Sequence, residues 1–256
     1  VTEADGIYKP VYAVKSLPGA VFEVRAAEDI YTLDGVMHYA KGEVVDTITT
    51  GADGVALSKE LYLGKYEIQE ITAPHGMVLN GTIQTVELTY AGQEVAITET
   101  AGNLYNERQR VRVSLRKVLE QNELFSIGMN GELKNITFGL HAKTDLVAGD
   151  GTVIPAGGLI EIVTFDDNGM ATVSADLPLG SYYLQERSTD EHYILDDTHY
   201  EFEFSYGSQE THMVEISVNG GDPIKNDLKY GMISGRKVDE DGHVIAGAIF
   251  SLFRND

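Results

Sequence analysis

Leu61-Tyr-Leu-Gly-Lys-Tyr-Glu-Ile-Gln-Glu70 and Leu177-Pro-Leu-Gly-Ser-Tyr-Tyr-Leu-Gln-Glu186 decide the fold. The runs Lys65 to Glu70 and Ser181 to Glu186 within them alternate, which puts one set of side chains in a core and the other in solvent, as in a half-buried antiparallel strand. The two stretches share Leu-x-x-Gly-x-Tyr-x-x-x-Glu and are copies of one element. Outward from them the copying continues at one constant interval: Phe22 with Phe138, Asp29 with Asp145, Gly35 with Gly151, Tyr90 with Tyr206. The Asp53-Gly54 and Asn168-Gly169 turns correspond with a slip of one residue. A third copy opens near the C-terminus, where Gly247-Ala-Ile-Phe250 repeats Gly19-Ala-Val-Phe22 and Lys237 repeats Lys9. Self-similarity of this kind predicts a tandem array.

The rest of the chain has the same texture. Gln84 to Tyr90, Arg110 to Leu115 and Tyr200 to Tyr206 are short alternating runs rich in β-branched and aromatic residues, set between Gly- and Asp-bearing turns. Turns such as Asp34-Gly35 and Asp241-Gly242 tolerate the positive φ a hairpin needs. The expectation is an all-β protein of tandem units: residues 1–107, residues 108–229, and the opening of a third repeat over 230–256. Very short linkers predict a stiff rod.

Composition narrows the function. Among 256 residues, 40 Asp and Glu stand against 19 Lys and Arg, a net charge of −21. A nucleic-acid partner is excluded on that balance, because such binding draws most of its affinity from clustered cations. The absence of cysteine removes disulfides, thiol catalysis and thiolate metal sites. With 43% apolar and 23% charged residues the chain should fold rather than remain an acidic tail. No apolar run approaches the roughly 20 residues that cross a bilayer, and Val1 to Gly6 do not read as a signal peptide. The expectation is a soluble segment of a longer protein, with no membrane insertion of its own.

The order of motifs carries a resemblance. A strand ending in Lys, then Gly-Ala-x-Phe, then Leu-x-x-Gly-x-Tyr-x-x-x-Glu, then Ala-Pro, then an Asn-bearing last strand resembles the collagen-adhesin B-type (Cna B-type), prealbumin-like repeats of Gram-positive surface adhesins and pilins. Here the stretches are Tyr8-Lys9-Pro10, Gly19 to Phe22, Leu61 to Glu70, Ala73-Pro74 and Leu104-Tyr-Asn106. The second unit offers Arg116-Lys117-Val118, Thr137-Phe138, Leu177 to Glu186 and Ile224-Lys-Asn226, and the third offers Lys237 to Gly242 and Gly247 to Phe250. The second unit departs from the pattern in lacking the Ala-Pro and in a longer stretch between Lys117 and Phe138. Pro10 directly follows Lys9 and cannot donate to a strand ladder.

The resemblance implies β-sandwiches in which a Lys on the first strand and an Asn on the last are joined covalently with a buried Glu assisting. Carried over, this proposes Lys9, Asn106 and Glu70 in the first unit and Lys117, Asn226 and Glu186 in the second. Lys237 is the unpaired lysine of the third. Asn103 is the other acceptor candidate of the first unit and reads better as a turn residue beside Leu104. The chemistry suits these residue types, since burial favours a neutral amine and a protonated acid. The amine can attack the carboxamide while the Glu polarises the carbonyl and moves a proton to departing ammonia. Such a reaction turns over once, so no enzyme and no cofactor is expected. The implied role is a stalk or spacer of a cell-wall-associated surface protein whose partners are neighbouring repeats.

Two other functions compete. One is a binding module for a host matrix protein or glycan; the other, weaker, is a hydrolase using Glu186 and Glu191. Asp166 to Gly169 and Asp239 to Gly242 lack the ligand spacing of a calcium loop and read as hairpin turns. The seven His are dispersed with no zinc-site spacing. The tail from Tyr230 to Asp256 is too short to close a sandwich. Its apolar Ala248 to Phe253 is expected either to be disordered or to add to an exposed sheet edge.

Overall fold

The computed structural model describes residues 1–92 and 100–251. A hairpin of β1 (Thr2–Ala4) and β2 (Ile7–Lys9) comes first. The first unit follows with β3 (Val21–Ala26), β4 (Ile30–Tyr31), β5 (Met37–Tyr39), β6 (Val44–Thr49), β7 (Gly64–Thr72) and β8 (Ile83–Leu88). Its main sheet has the order β6-β3-β7-β8, all antiparallel. Alternation along β3 turns Phe22, Val24 and Ala26 inward, where Val24 and Ala26 join Ile30, Val45 and Tyr66 in a small core.

The second unit is built from β9 (Arg110–Leu119), β10 (Thr137–Ala142), β11 (Leu146–Val147), β12 (Val153–Ile154), β13 (Leu159–Thr164), β14 (Met170–Thr172), β15 (Gly180–Ser188), β16 (Tyr200–Phe204), β17 (Met213–Ser217) and β18 (Ile224–Asn226). One layer repeats the first unit's order as β13-β10-β15-β16; the other sets β9 between β14 and the parallel strands β17 and β18. Between the layers lies a large core that includes Val113, Leu115, Phe138, Leu140, Tyr182 and Leu184. The repeated residues do repeated work. Tyr66 and Tyr182 are buried and donate their hydroxyls, each at 2.6 Å, to the carbonyls of Tyr62 and Pro178. Asp29 and Asp145 accept, each at 2.7 Å, from the amides of Lys41 and Ala156.

The units differ in their second layer. Residues 11–17, 55–63 and 100–106 form no strand, so one face of the first unit's sheet opens onto a groove of about 1510 Å³. Residues 1–9, which the repeat places with the first unit, are laid against the second. β2 pairs in parallel with β13 at Ile7 and Leu159, so β1 and β2 extend that sheet to six strands. Val1 and Tyr8 pack on the second unit's core. Pro10 has no N–H to continue the ladder, and the chain leaves the sheet there.

Further bonds tie the units together. Arg108 stacks 3.6 Å over the Tyr12 ring and pairs with Asp176, whose carbonyl accepts the Tyr12 hydroxyl at 3.0 Å. Buried Gln109 donates to the carbonyls of Ser208 and Thr211, and its backbone N–H donates to Gly76. The acidic turns close on themselves, with Asp166 and Asp239 each accepting two backbone amides of their own loop. Of the tail, residues 230–251 pair only through an isolated bridge between Val238 and Val244. Ile249 and Phe250 are exposed, and no sheet edge receives that segment among the described residues. Leu252 and Phe253 lie outside them.

Candidate functional site

In the second unit three polar side chains converge in the core. Along β9 the inward positions are Val113, Leu115 and Lys117, so the lysine occupies a core position by the ordinary period of a strand. Glu186 faces inward from β15, and Asn226 comes from β18, which runs beside β9 with Ile224 opposite Lys117. Their exposures are 1%, 3% and 1%. Lys117 Nζ lies 3.2 Å from Glu186 Oε1, at ion-pair range but without hydrogen-bonding geometry, and 5.3 Å from the Phe138 ring centroid. Asn226 Nδ2 donates to Glu186 Oε2 at 2.9 Å and to the Ile194 carbonyl at 2.6 Å. A carbonyl can only accept, so this second bond fixes which end of the amide is nitrogen. Oδ1 is buried without a partner.

Burial pushes the Lys117 amine below its ordinary pKa, with the Glu186 charge pulling the other way. Glu186 is itself held in place, accepting the Asp196 N–H at Oε2, 2.7 Å. One carboxylate therefore touches the amine with one oxygen and the carboxamide nitrogen with the other. The arrangement can take a proton from Nζ and deliver one to Nδ2. The carbonyl-polarising contact that the resemblance implies is not made, since Oδ1 faces no donor.

The first unit holds the same bed without the amine. Asn106 Nδ2 donates to Glu70 Oε2 at 2.7 Å and to the Val78 carbonyl at 3.0 Å, and the Asn80 N–H reaches the same Oε2 at 2.7 Å. Glu70 is 1% exposed and Asn106 7%. Glu70 Oε1 is buried with no partner. The structure does not bring Lys9 to this pair. It is exposed on β2, opposite Thr2 in the hairpin, and makes no ion pair among the described residues. The physical reason is competition between sheets: β2 has been taken up by the edge of β13. Asn103 accepts through its backbone carbonyl from Gln84 and does not approach Glu70. Lys237 is exposed in the tail beside the Asp239 turn. Glu191 is exposed and bonds through its backbone carbonyl to Lys229, apart from Glu186.

The reading of the sequence missed the groups that orient each carboxylate, the amides of Asn80 and Asp196 and the carbonyls of Val78 and Ile194. Main-chain donors carry no side-chain signature, although each lies a fixed distance after its glutamate in both copies. It read Gly169 as a turn residue only and missed its contact with Lys117: the Gly169 carbonyl accepts the Lys117 N–H at 2.7 Å, and a Cβ there would collide with the Lys117 carbonyl.

The sheet order β6-β3-β7-β8, repeated as β13-β10-β15-β16, makes the chain a tandem pair of related β-domains. The family model described as SpaA, prealbumin-like fold domain, matches residues 11–101 and again 127–219, and the chain belongs to that family. Among solved structures it is similar to the Bacillus anthracis TIE protein, at 20% identity and a TM-score of 0.51, over 91% of this chain and 38% of that one. It also matches GBS52, the minor pilin of Streptococcus agalactiae, at 14% identity and a TM-score of 0.33, over 92% of this chain and 96% of that one. A third match is the C-terminal fragment of the pilus adhesin SpaC from Lactobacillus rhamnosus GG, at 13% identity and a TM-score of 0.41, over 84% and 91%. The chain thus spans well under half the length of the Bacillus protein. No curated protein sequence matches it.

Proposed function

We propose that these units are stalk or spacer domains of a Gram-positive cell-surface protein, pilin-like in role, and that the second is fastened by an amide bond between Lys117 and Asn226. The observation that carries this reading is the convergence of Lys117, Glu186 and Asn226, all buried, in one core. A buried neutral amine is a nucleophile, and adjacent strands supply the effective concentration that an unassisted exchange lacks. The Nζ–Cγ bond forms, the Cγ–Nδ2 bond breaks, and Glu186 moves the proton that lets ammonia leave. The reaction happens once per molecule and acts on no outside substrate.

The bond joins the first and last strands of the unit, closing a loop of roughly 110 residues. By the chain-entropy account of a disulfide this stabilises the unit by about 4 to 5 kcal/mol. Load entering on β18 passes to β9 through a covalent link, and the sheets between need not shear. A spacer fits the acidic, solvated exterior and the short, bonded junction between units. The intact mass of the purified chain tests the chemistry. Each bond removes one ammonia, about 17 Da, and digestion should yield a branched peptide joining Lys117 to Asn226. A chain in which Asn226 is unlinked overturns the reading.

A further inference from the structure

A loop of the second unit is seated on the end of the first. Tyr206 packs on His75 with ring centroids 4.7 Å apart and donates its hydroxyl to the Met77 carbonyl. Gln209 makes three bonds: its side-chain oxygen accepts the Ala73 N–H at 3.0 Å, its side-chain nitrogen donates to the Ile71 carbonyl, and its backbone carbonyl accepts the Leu79 N–H at 2.8 Å. The far end of the second unit repeats the rim that receives this loop. We propose that the second rim, Thr189 to Leu195 with Asp227 to Tyr230, is a docking surface for a further β-unit whose loop presents a tyrosine and, three residues on, a glutamine. The inference deepens the spacer reading by naming what the second unit abuts, and it does not depend on the amide bond.

The two rims are built by the same backbone bonds. Met77 bridges Arg108 as Tyr193 bridges Leu228. The Val78 N–H donates to the Glu107 carbonyl at 2.7 Å, as the Ile194 N–H does to Asp227 at 3.0 Å, and the N–H groups of Gln109 and Lys229 donate to the Gly76 and His192 carbonyls, each at 2.8 Å. The groups that Tyr206 and Gln209 engage on the first rim therefore have fixed counterparts on the second. The Tyr193 carbonyl stands for that of Met77, and the N–H groups of Thr189 and Leu195 stand for those of Ala73 and Leu79. None of these three takes a backbone partner among the described residues.

Burial and side-chain chemistry point the same way. Val78 is 4% exposed and Leu79 half-buried, whereas Ile194 and Leu195 are 53% and 48% exposed. Neighbouring exposed apolar side chains at positions that are covered in the first unit mark a contact surface. Thr189 Oγ1 is buried without a partner. A glutamine oxygen placed there as Gln209 Oε1 is placed at Ala73 can accept both the Thr189 N–H and its hydroxyl. One position departs. Buried Gln109 accepts the Gly207 N–H and donates to the Ser208 and Thr211 carbonyls, and Lys229 in its place can donate but cannot accept. The second rim therefore grips the incoming loop by its carbonyls, its tyrosine and its glutamine. The occupant is a unit of the same kind: Tyr90 and Gln93 repeat the spacing of Tyr206 and Gln209, and Lys237 with Gly247 to Phe250 opens another copy directly after the rim.

Amide hydrogen exchange read by mass spectrometry decides the matter. In the full chain Gln209→Ala should speed exchange at Ala73 and Leu79 about tenfold and leave the β15 amides unchanged; protection that persists at Ala73 and Leu79 overturns the role given to the loop. The second rim is tested in a longer chain, residues 1–229 followed directly by a second copy of residues 110–229, which sets the added Tyr206 and Gln209 at the native distance beyond the rim. The peptide carrying Thr189 to Leu195 then occurs twice. Its isotope envelope should split into equal halves, the inner rim slowed about tenfold and the outer rim exchanging as before, while the β9 peptide stays unsplit and protected because both copies are folded. An unsplit, fast envelope overturns the proposal, and so does a split that survives Gln209→Ala in the added copy. A split envelope in a chain that has lost no ammonia would end the cross-link reading and leave the docking surface standing.

Discussion

The two units present one polar bed twice, and only the second sets a lysine on it. In both, a core glutamate accepts a loop amide ten residues on, Asn80 or Asp196, and receives an asparagine whose nitrogen is shared with a nearby carbonyl, Val78 or Ile194. The layers behind the beds are unlike. β9 is a ten-residue strand held on both sides, by β14 and by β17 and β18, whereas residues 11–17 have no neighbour in a sheet among the described residues. The lesson is that acceptor and donor are specified separately. Short local loops build the acceptor, while the donor depends on which sheet captures the first strand.

Breaking the glutamates separates these parts most strongly. Glu186→Ala should abolish the Lys117–Asn226 bond and leave a lysine buried without its counter-ion. The lost loop closure alone is about 4 to 5 kcal/mol, so the second unit should unfold at markedly lower urea, and the deficit of about 17 Da for that bond, measured against the variant's own sequence mass, should vanish. Glu70→Ala should strand only the Asn106 amide and the Asn80 N–H, at about 1 to 3 kcal/mol. Equal losses from the two substitutions would erase the distinction.

The paired glycines give a smaller contrast. Ala at either position is forced to positive φ, which costs about 1 kcal/mol or more. At Gly169 the new methyl also strikes the Lys117 carbonyl in a strand that cannot retreat. At Gly54 it meets Ser16 in a segment free to shift. Urea unfolding should therefore show Gly169→Ala as the costlier by about 1 to 2 kcal/mol.

The smallest difference is in pH dependence. In an Asn226→Ala chain Lys117 stays a free amine whose folded pKa is depressed below the ordinary 10.5 by burial. Between the depressed value and 10.5 the unfolded chain binds the extra proton, so stability rises with pH across that window, by at most about 1.4 kcal/mol per pH unit. The second unit's urea midpoint should climb over this range while the first unit's, with no buried lysine, stays level.

Much of this was legible in the sequence. The copied Tyr and Asp positions of the two units do the same jobs, and Glu70, Asn106, Glu186, Asn226 and Lys117 all sit in the cores where the repeated motif order put them. Lys9 was not, for a tertiary reason. Its spacing to Phe22 equals that of Lys237 to Phe250, so a local pattern selects it, yet the edge of β13 lies far along the chain and its pull on Ile7 leaves no mark near residue 9. The longer stretch after Lys117 was visible as length alone. It folds into two short 3₁₀ turns, Glu123–Phe125 and Glu132–Asn135, between β9 and β10.

The seat of β2 on β13 also orders events in time. The partner of Ile7 lies about 150 residues downstream, which at 5 to 20 residues per second is about 8 to 30 s of synthesis. Before that interval ends every strand of the first unit's sheet has been made, while the second unit's edge has not. Residues 1–9 are therefore made well before the strand that holds them, and that pairing has the longest chain separation of any strand pair described. A nascent chain halted before β13 would hold residues 1–9 differently from the finished protein.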